Sequence, residues 1–145
     1  MEYTIEQIDG MKVAGIKTIT DNKEGISLIP KLWGDFFNDN IIESIENKKP
    51  STKIFAIYTE YESDENGKYT FLLGAEVEDI KKPEPINDFV EIRAGKYAVF
   101  SVDSKDKVIN VWQYVWQRTL ERNYKTDFEV YDMTEEKVKV FVGLK

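Results

Sequence analysis

The sequence of 145 residues contains neither cysteine nor histidine. The absence of cysteine excludes disulfides, thiolate metal sites and cysteine nucleophiles. The absence of histidine excludes Ser-His-Asp triads, imidazole metal sites and histidine-ligated haem. Any chemistry must therefore rely on carboxylates, tyrosine, lysine, serine, threonine or water. We expect the protein to hold no metal and no cofactor.

Positive charge is also scarce, since the formal net charge is −7 and the pI is about 4.8. The adjacent lysines at 48–49 and at 81–82 are isolated pairs that form no stripe. A nucleic-acid surface needs a basic face to neutralise phosphates. We therefore expect no nucleic-acid partner.

Long apolar runs are missing as well. No segment approaches the roughly 20 apolar residues needed to span a bilayer. The start of the chain, residues 1–5, lacks the basic and apolar regions of a signal peptide. These absences predict a cytoplasmic protein without a membrane partner.

The chain does contain regular runs of alternating and helical hydrophobicity. Its length fits one domain, residues 1–145, with two similar halves at about 1–82 and 88–145. A linker at 80–87, with Pro83 and Pro85, separates the halves, and each half runs strand, strand, helix, strand, strand. The predicted strands are 3–8, 13–20, 53–62, 69–78, 89–92, 96–103, 128–133 and 138–144.

Two amphipathic stripes predict the main helices. The first contains Trp33 and Phe36 and should begin near Ser27 or Leu28, because Pro30 is tolerated only in the first turn. The second runs over 108–120, with Asp106 as its N-cap and a stop at residue 123. Residues 41–45 predict one more helical turn.

The connections between elements suggest antiparallel pairing. Asn66 and Gly67 are typical of a hairpin connection that needs positive φ. Gly74, inside a predicted strand, indicates a bulge or a close backbone approach. We predict an α+β fold of duplicated βαββ-type halves, with pseudo-twofold symmetry, antiparallel pairs, two main helices and a central cleft.

The two halves differ at one position of a shared pattern. The strand with Phe55, Ala56 and Tyr58 corresponds to the strand with Phe128, Glu129 and Tyr131. Period-two alternation places Glu129 and Tyr131 on one face. The residues alone leave two interpretations open: a solvent-facing glutamate, or a carboxylate in a cleft lined by aromatic rings.

An ordered set of segments covering almost the whole chain carries a family resemblance. The segments are 29–33, 58–62, 69–77, 94–100, 112–116 and 128–131. The chain resembles the GyrI-like small-molecule-binding domain, which is also the effector-binding domain of multidrug-responsive and AraC-type transcription regulators.

The resemblance implies a central aromatic cleft in which Glu129 meets cationic, lipophilic compounds. Some stand-alone relatives resemble hydrolases that open cyclopropane rings in genotoxic compounds with a glutamate and a tyrosine, here Glu129 and, as the best tyrosine candidate, Tyr58. Candidate hydroxyls come from Tyr58, Tyr61, Tyr69, Tyr97 and Tyr131. The expected ligand-binding residues are Glu129, Trp112, Trp116, Tyr131, Tyr58, Tyr69, Phe71, Tyr97, Trp33 and Phe36.

Three functional hypotheses follow. The first is a binding module for aromatic, cationic or electrophilic small molecules, which would sense or sequester toxins. The second is an enzyme in which Glu129 activates water and Tyr58 stabilises the developing phenolate. The third, a gyrase-inhibiting protein, rests on fold analogy alone. The sequence does not determine the ligand or the oligomeric state.

Overall fold

Eight antiparallel strands form a single sheet in a computed structural model that describes residues 1–79 and 88–145. The strands are β1 (Thr4–Ile8), β2 (Met11–Thr20), β3 (Lys53–Thr59), β4 (Tyr69–Val77), β5 (Asp88–Ile92), β6 (Gly95–Val102), β7 (Arg122–Asp132) and β8 (Val138–Leu144). The helices are α1 (Gly25–Asn38), α2 (Ile41–Ser44) and α3 (Val108–Trp116). The predicted antiparallel α+β class is confirmed.

The strand order is β1-β6-β8-β7-β3-β4-β2-β5, which reads symmetrically outward from the central β7–β3 pair. The two predicted halves exchange their first strands. β1 of the first half pairs with β6 of the second, and β5 of the second half pairs with β2 of the first. The predicted linker at 80–87 lies outside the described residues, so the proposed boundary between halves stays a prediction.

Ala56 and Glu129, the position at which the repeated pattern differs between the two halves, lie at the centre of the sheet. Ala56 pairs directly with Glu129, and the pairs Tyr58–Asp127 and Ile54–Tyr131 flank it. Side chains of directly opposed residues are close neighbours on one face. The carboxylate therefore lies at the symmetry centre, opposite the smallest side chain of the strand.

Both long helices cover the same face of the sheet. Phe36 of α1 packs with Ala56 and Phe71, and Val111 of α3 packs with Phe100. Tyr58 and Tyr131 contact both of these clusters. The two helices therefore flank a cleft whose floor is the β3–β7 pair.

The opposite face of the sheet is buried by curvature. Val13 of β2 and Tyr97 of β6 share one apolar cluster, although five steps of the strand order separate their strands. The sheet is strongly curled but not closed. Gly15 and Gly74 face each other on β2 and β4, where an added Cβ would collide with backbone. The close approach predicted at Gly74 is confirmed.

Helix α1 begins earlier than predicted, and Pro30 lies inside it. The Asp21 carboxylate accepts from the backbone N–H groups of Lys23 and Glu24, and the Asp21 carbonyl accepts from Gly25. These bonds organise the chain before the predicted start. The predicted placement of Pro30 in the first turn is therefore wrong.

Helix α3 ends at Trp116 instead of near residue 120, and β7 begins at Arg122 instead of residue 128. Asp106 does not cap the helix, because it lies within a short 3-10 turn, Lys105–Lys107, and no side-chain capping bond forms. The first part of β7 is irregular, with a register shift between Arg122 and Asp127 and a positive φ of 53° at Tyr124.

The connection between β3 and β4 also differs from its prediction. Positive φ occurs at Glu60, and neither Asn66 nor Gly67 adopts it. Glu60 directly follows β3. Further along the loop, the Asp64 side chain accepts from the Asn66 N–H, and the Asp64 carbonyl accepts from the Gly67 N–H. A wider loop, residues 60–68, results, and it folds over one end of the cleft.

Candidate functional site

Glu129 is a buried carboxylate held by three neutral donors. Its side chain is only 3% exposed. Tyr58 Oη and Trp112 Nε1 donate to Oε2 at 2.9 and 2.7 Å, and Tyr131 Oη donates to Oε1 at 2.5 Å. The ion pairs found among residues 1–79 and 88–145 include none to Glu129. The carboxylate is hydrogen-bonded, but no cation neutralises it.

This environment shifts the acidities of the whole group. Burial raises the pKa of Glu129, and the hydrogen bonds from Tyr131, Trp112 and Tyr58 oppose that rise only in part. Burial and the nearby Glu129 charge raise the pKa of Tyr58 and of Tyr131. Burial, Asp21 and Glu129 raise the pKa of Tyr69 to about 12. The tyrosines therefore remain protonated donors at neutral pH.

A second buried carboxylate, Asp127, lies two residues earlier on the same strand. It is fully buried and forms an ion pair with Arg122, whose Nη2 lies 3.0 Å from Oδ2. Tyr61 Oη donates to Oδ2 at 2.5 Å, and the Gly143 N–H donates to Oδ1 at 2.8 Å. Asp127 has a resident cation, in contrast to Glu129.

A cavity of about 180 Å³ opens beside these two carboxylates. Its walls include the rings of Tyr58, Tyr69, Trp112 and Trp116 together with Arg122. Tyr58 and Trp112 pack edge-to-face with centroids 5.3 Å apart, and both also bond to Glu129. The wall between the cavity and Glu129 is therefore made of two aromatic side chains that the carboxylate itself fixes in place.

The rim of this cavity is apolar and exposed. Ile26 on α1 is 80% exposed, and Ile109 and Trp116 on α3 are 51% and 44% exposed. Exposed apolar side chains that converge on one opening typify ligand sites more than isolated surface positions do. The cavity therefore opens onto an exposed apolar surface.

Tyr131 faces a different opening. A more polar cavity of about 310 Å³ lies beyond it, bordered by Lys105, Asp106, Asp132 and Glu135. Trp33 packs edge-to-face on Tyr131 with a centroid distance of 4.9 Å. Tyr58 and Tyr131 thus separate Glu129 from two openings, of which only the Tyr58 side is mainly aromatic.

Four of the predicted ligand-binding residues line the aromatic cavity: Tyr58, Tyr69, Trp112 and Trp116. Glu129 lies directly behind their wall. Phe36 and Phe71 are fully buried in the core, with Phe71 packed behind Tyr58. Trp33 and Tyr131 lie on the far side of Glu129. The ligand roles themselves stay predictions.

Tyr97 is misplaced in the predicted set. It lies on the opposite face of the sheet, packs against Phe128 at a centroid distance of 5.4 Å and donates to the Arg93 carbonyl. Strand alternation turns it away from the helices. Tyr97 therefore cannot contact a ligand held beside Glu129.

The predicted site lacks three residues that the structure places at or beside the cavity: Arg122, Asp127 and Glu65. Asp127 shares the alternation of Glu129 and Tyr131, so extending that pattern back by two residues would have found it. Glu65 lies in an acidic stretch of sequence, which favours solvent exposure, but it is half-buried and lines the cavity. Only the packing of loop 60–68 against β7 brings it there.

The described residues contain neither a metal-binding cluster nor a membrane-spanning helix. Within residues 1–79 and 88–145, no group of three or more acidic side chains is placed to hold a metal ion. No helix of the same residues is both long and apolar enough to cross a bilayer.

Sequence comparison identifies the family of this chain. Residues 4–143 match the sequence profile of Cass2, an integron-associated effector binding protein. The chain belongs to the Cass2 family. A Bacillus subtilis (strain 168) relative, YobU, whose name places it among transcriptional regulators, is 29% identical over 97% of this chain and 96% of its own length.

Solved structures share the fold across the whole chain. The Vibrio cholerae integron cassette protein VCH_CASS2 is 25% identical, with a TM-score of 0.80, over 99% of this chain and 95% of its own. SAV2435, solved with bound tetraphenylphosphonium, is 18% identical, with a TM-score of 0.78, over 100% of this chain and 94% of its own. The chain thus has the GyrI-like fold.

Proposed function

We propose that this protein binds lipophilic organic cations in the aromatic cavity beside Glu129. The observation that carries the proposal is a buried carboxylate whose partners are all neutral. A buried charge without a counter-charge is costly, and a bound cation would offset that cost. Membership of an effector-binding family and the tetraphenylphosphonium bound by SAV2435 support a small-molecule role of this kind.

The aromatic wall supplies the second part of the recognition. A cation in the cavity would lie against Tyr58 and Trp112, which separate it from Glu129. Cation–π attraction contributes about 0.5–2 kcal/mol per ring when the site is desolvated. The carboxylate behind the rings adds a longer-range attraction that low polarity strengthens.

The size of the cavity adds a constraint. Its 180 Å³ is small beside the roughly 300–1,000 Å³ of drug-sized sites. A bulky cation would therefore leave part of its surface against the exposed rim of Ile26, Ile109 and Trp116. We expect compounds with several aromatic rings to be favoured, because they can fill the cavity and cover the rim together.

Hydrolysis of strained rings receives less support. That mechanism needs a carboxylate next to water and a hydroxyl at the other end of a flat slot. Here the Tyr58 hydroxyl is bonded to Glu129 itself, and the carboxylate is 3% exposed. Binding without turnover therefore fits the geometry better, and Tyr58 is better explained as part of the ligand-facing wall.

Titration with tetraphenylphosphonium, followed by calorimetry, tests the proposal. We expect Glu129→Gln to weaken binding roughly ten- to a hundredfold, the range for a charge–charge attraction of about 1.5–3 kcal/mol acting through the desolvated aromatic wall. Glu91→Gln, which removes an exposed carboxylate on edge strand β5, is the matched control and should bind normally. Equal affinity of Glu129→Gln and the unchanged protein would refute the role given to Glu129, and no binding by the unchanged protein would refute the function.

A further inference from the structure

Tyr131 has the same place in the second half of the molecule as Tyr58 has in the first. Each tyrosine lies two residues after the central position of its strand, which is Ala56 on β3 and Glu129 on β7. Their hydroxyls donate to different oxygens of the Glu129 carboxylate, Tyr58 to Oε2 and Tyr131 to Oε1. The charge of Glu129 therefore lies behind two tyrosines, and each of them borders its own cavity.

The two cavities are built from corresponding parts of the chain. The aromatic cavity combines Tyr58 with the start of α1 and with loop 60–68, which follows β3. The polar cavity combines Tyr131 with the segment that leads into α3, residues 104–106, and with the connection between β7 and β8. The polar cavity is thus the pseudo-twofold counterpart of the aromatic one, and at about 310 Å³ it is the larger of the two.

The Tyr131 side chain is accessible from the polar cavity. It is only half-buried, in contrast to Glu129, and it forms part of the cavity lining. Trp33 packs edge-to-face on its ring at a centroid distance of 4.9 Å, and the bond to Glu129 fixes its hydroxyl. The ring surface that borders this cavity is therefore preformed, and an aromatic surface backed by a carboxylate attracts cations.

The rim of the polar cavity determines which kind of cation fits. Four carboxylates and two lysines border it: Asp106, Asp132, Glu135, Glu136, Lys105 and Lys137. The excess of negative charge adds to the attraction of Glu129 for a cation. A bulky apolar cation would take these charged side chains out of water at a cost, so a small hydrophilic one is favoured.

We propose that the polar cavity is a second cation site, which binds small hydrophilic quaternary ammonium compounds against Tyr131. A quaternary ammonium has no N–H to satisfy and is held by an aromatic surface and by charge. A hydroxyl group on the same compound can donate to a carboxylate of the rim. The inference rests on the proposed function in one respect, because both ligands are attracted by the same carboxylate, Glu129.

Sharing one carboxylate makes the two sites weaken each other without excluding each other. A cation in the aromatic cavity cancels part of the attraction that Glu129 exerts in the polar cavity. Saturating tetraphenylphosphonium should therefore weaken binding in the polar cavity about five- to tenfold and no further, and the effect should be reciprocal. Two ligands that compete for one site would instead weaken each other without limit.

Choline and neohexyl alcohol are a matched pair of probes. They share one shape and a hydroxyl group, and they differ by a carbon in place of the ammonium nitrogen. We expect choline to bind about tenfold more tightly than neohexyl alcohol, because only choline carries the charge. Titration followed by the amide resonances of the β7–β8 connection measures both affinities and locates the site. The choline titration is then repeated with saturating tetraphenylphosphonium.

Tyr131→Phe and Tyr131→Leu are the matched pair of variants. Both lose the hydroxyl that bonds Glu129, and only the second loses the ring. We expect Tyr131→Leu to bind choline about two- to thirtyfold more weakly than Tyr131→Phe, the range for one cation–π contact, while tetraphenylphosphonium should not distinguish the two. Thermal unfolding of each variant confirms that the fold is retained.

A rim variant tests the site without changing its buried part. Lys137 is exposed and borders the polar cavity. Lys137→Glu should tighten choline binding about two- to fivefold, because it replaces a repelling charge with an attracting one. An unchanged or weaker affinity would place choline elsewhere and refute the second site, even if Tyr131→Leu does not fold.

The outcomes separate this inference from the proposed function. If tetraphenylphosphonium binds but choline does not, or neohexyl alcohol binds as well as choline, the second site is refuted and the proposed function stands. Displacement of choline by tetraphenylphosphonium without limit refutes the second site as well, because choline then occupies the aromatic cavity. If tetraphenylphosphonium itself does not bind, the proposed function fails, and the choline titration and its variants still decide whether the polar cavity binds a cation.

Discussion

Glu129 and Asp127 are two buried carboxylates on one strand, and they differ in what neutralises them. Asp127 has Arg122, a tyrosine hydroxyl and a backbone N–H, while Glu129 has two tyrosines and a tryptophan. The first arrangement is complete within the protein. The second satisfies the hydrogen-bonding capacity but leaves the charge without a partner, which is what a site for an external cation requires.

The difference shows that burial of an acid alone does not indicate a binding site. Both side chains lie on the helix-covered face, and both are almost inaccessible. Asp127 anchors the irregular start of β7, whose bulge brings Arg122 over Trp112 and Tyr124. Under the proposed function, only the carboxylate that lacks a charged partner would gain an interaction from a bound cation.

The largest expected effect is on stability when the complete pair is broken. Asp127→Asn should lower the free energy of unfolding by about 3–5 kcal/mol, because it leaves the Arg122 charge buried without its partner. Urea denaturation, followed by tryptophan fluorescence, measures this loss. A loss of less than about 1 kcal/mol would mean that Arg122 finds another partner or becomes hydrated.

An intermediate effect is expected on the pH dependence of cation binding. Because burial raises the pKa of Glu129, protons compete with the ligand, and tetraphenylphosphonium affinity should fall as the pH drops through that raised pKa. The fall should approach tenfold per pH unit at its steepest. The sequence has no histidine, so no imidazole contributes to this pH dependence. Calorimetry from about pH 8 to about pH 5 checks this.

The matched control for this measurement is Glu129→Gln, whose weaker binding should not depend on pH. If the affinity of the unchanged protein is equally flat over the same range, Glu129 does not titrate against the ligand. A dependence that persists in Glu129→Gln would assign the effect to another carboxylate.

The smallest effect is expected on stability when the uncompensated carboxylate is neutralised. The glutamine oxygen can accept from Tyr58 and Trp112, and its amide can donate to the Tyr131 oxygen. We therefore expect Glu129→Gln to change the free energy of unfolding by no more than about 1 kcal/mol at neutral pH. Urea denaturation at neutral pH, beside Asp127→Asn, makes the contrast direct.

The raised pKa of Glu129 also determines how the stability difference between Glu129→Gln and the unchanged protein varies with pH. The folded pKa of Glu129 lies above its ordinary value, so protonation stabilises the fold below that ordinary value, and this contribution is lost as the pH rises through the folded pKa. The stability of Glu129→Gln relative to the unchanged protein should therefore increase with pH. A relative stability that decreases with pH would show that the ionised carboxylate stabilises the fold.

The local sequence pattern predicted correctly which side chains face the sheet or the cleft. In helices this depends on residues three or four apart, and in strands on residues two apart. The helical stripe placed Trp112 toward the sheet, and strand alternation placed Glu129 with Tyr131 away from Phe128. The pattern did not predict the ends of elements in which polar residues extend a helix or strand. The start of β7, with Arg122 and Asp127, has little of the usual strand pattern, and its pairing depends on a buried ion pair.

The same limit explains the errors among the candidate site residues. Strand alternation puts Tyr97 on one face of β6, but only the tertiary structure decides that the helices cover the other face. Glu65 lies in an acidic run, which favours solvent, but loop 60–68 folds onto β7 and buries one of its oxygens. No pattern within a short window contains either fact.

The sequence by itself determined the antiparallel α+β architecture, the contrast of Ala56 with Glu129, and the lack of histidine and cysteine chemistry. Periodicity and composition are local properties, and they suffice for these conclusions. Only the tertiary structure decided that Asp127, and not Glu129, pairs with an arginine, and which tyrosines line the cavity. Those outcomes depend on contacts between residues far apart in the chain, such as Tyr58 with Glu129 and Tyr61 with Asp127.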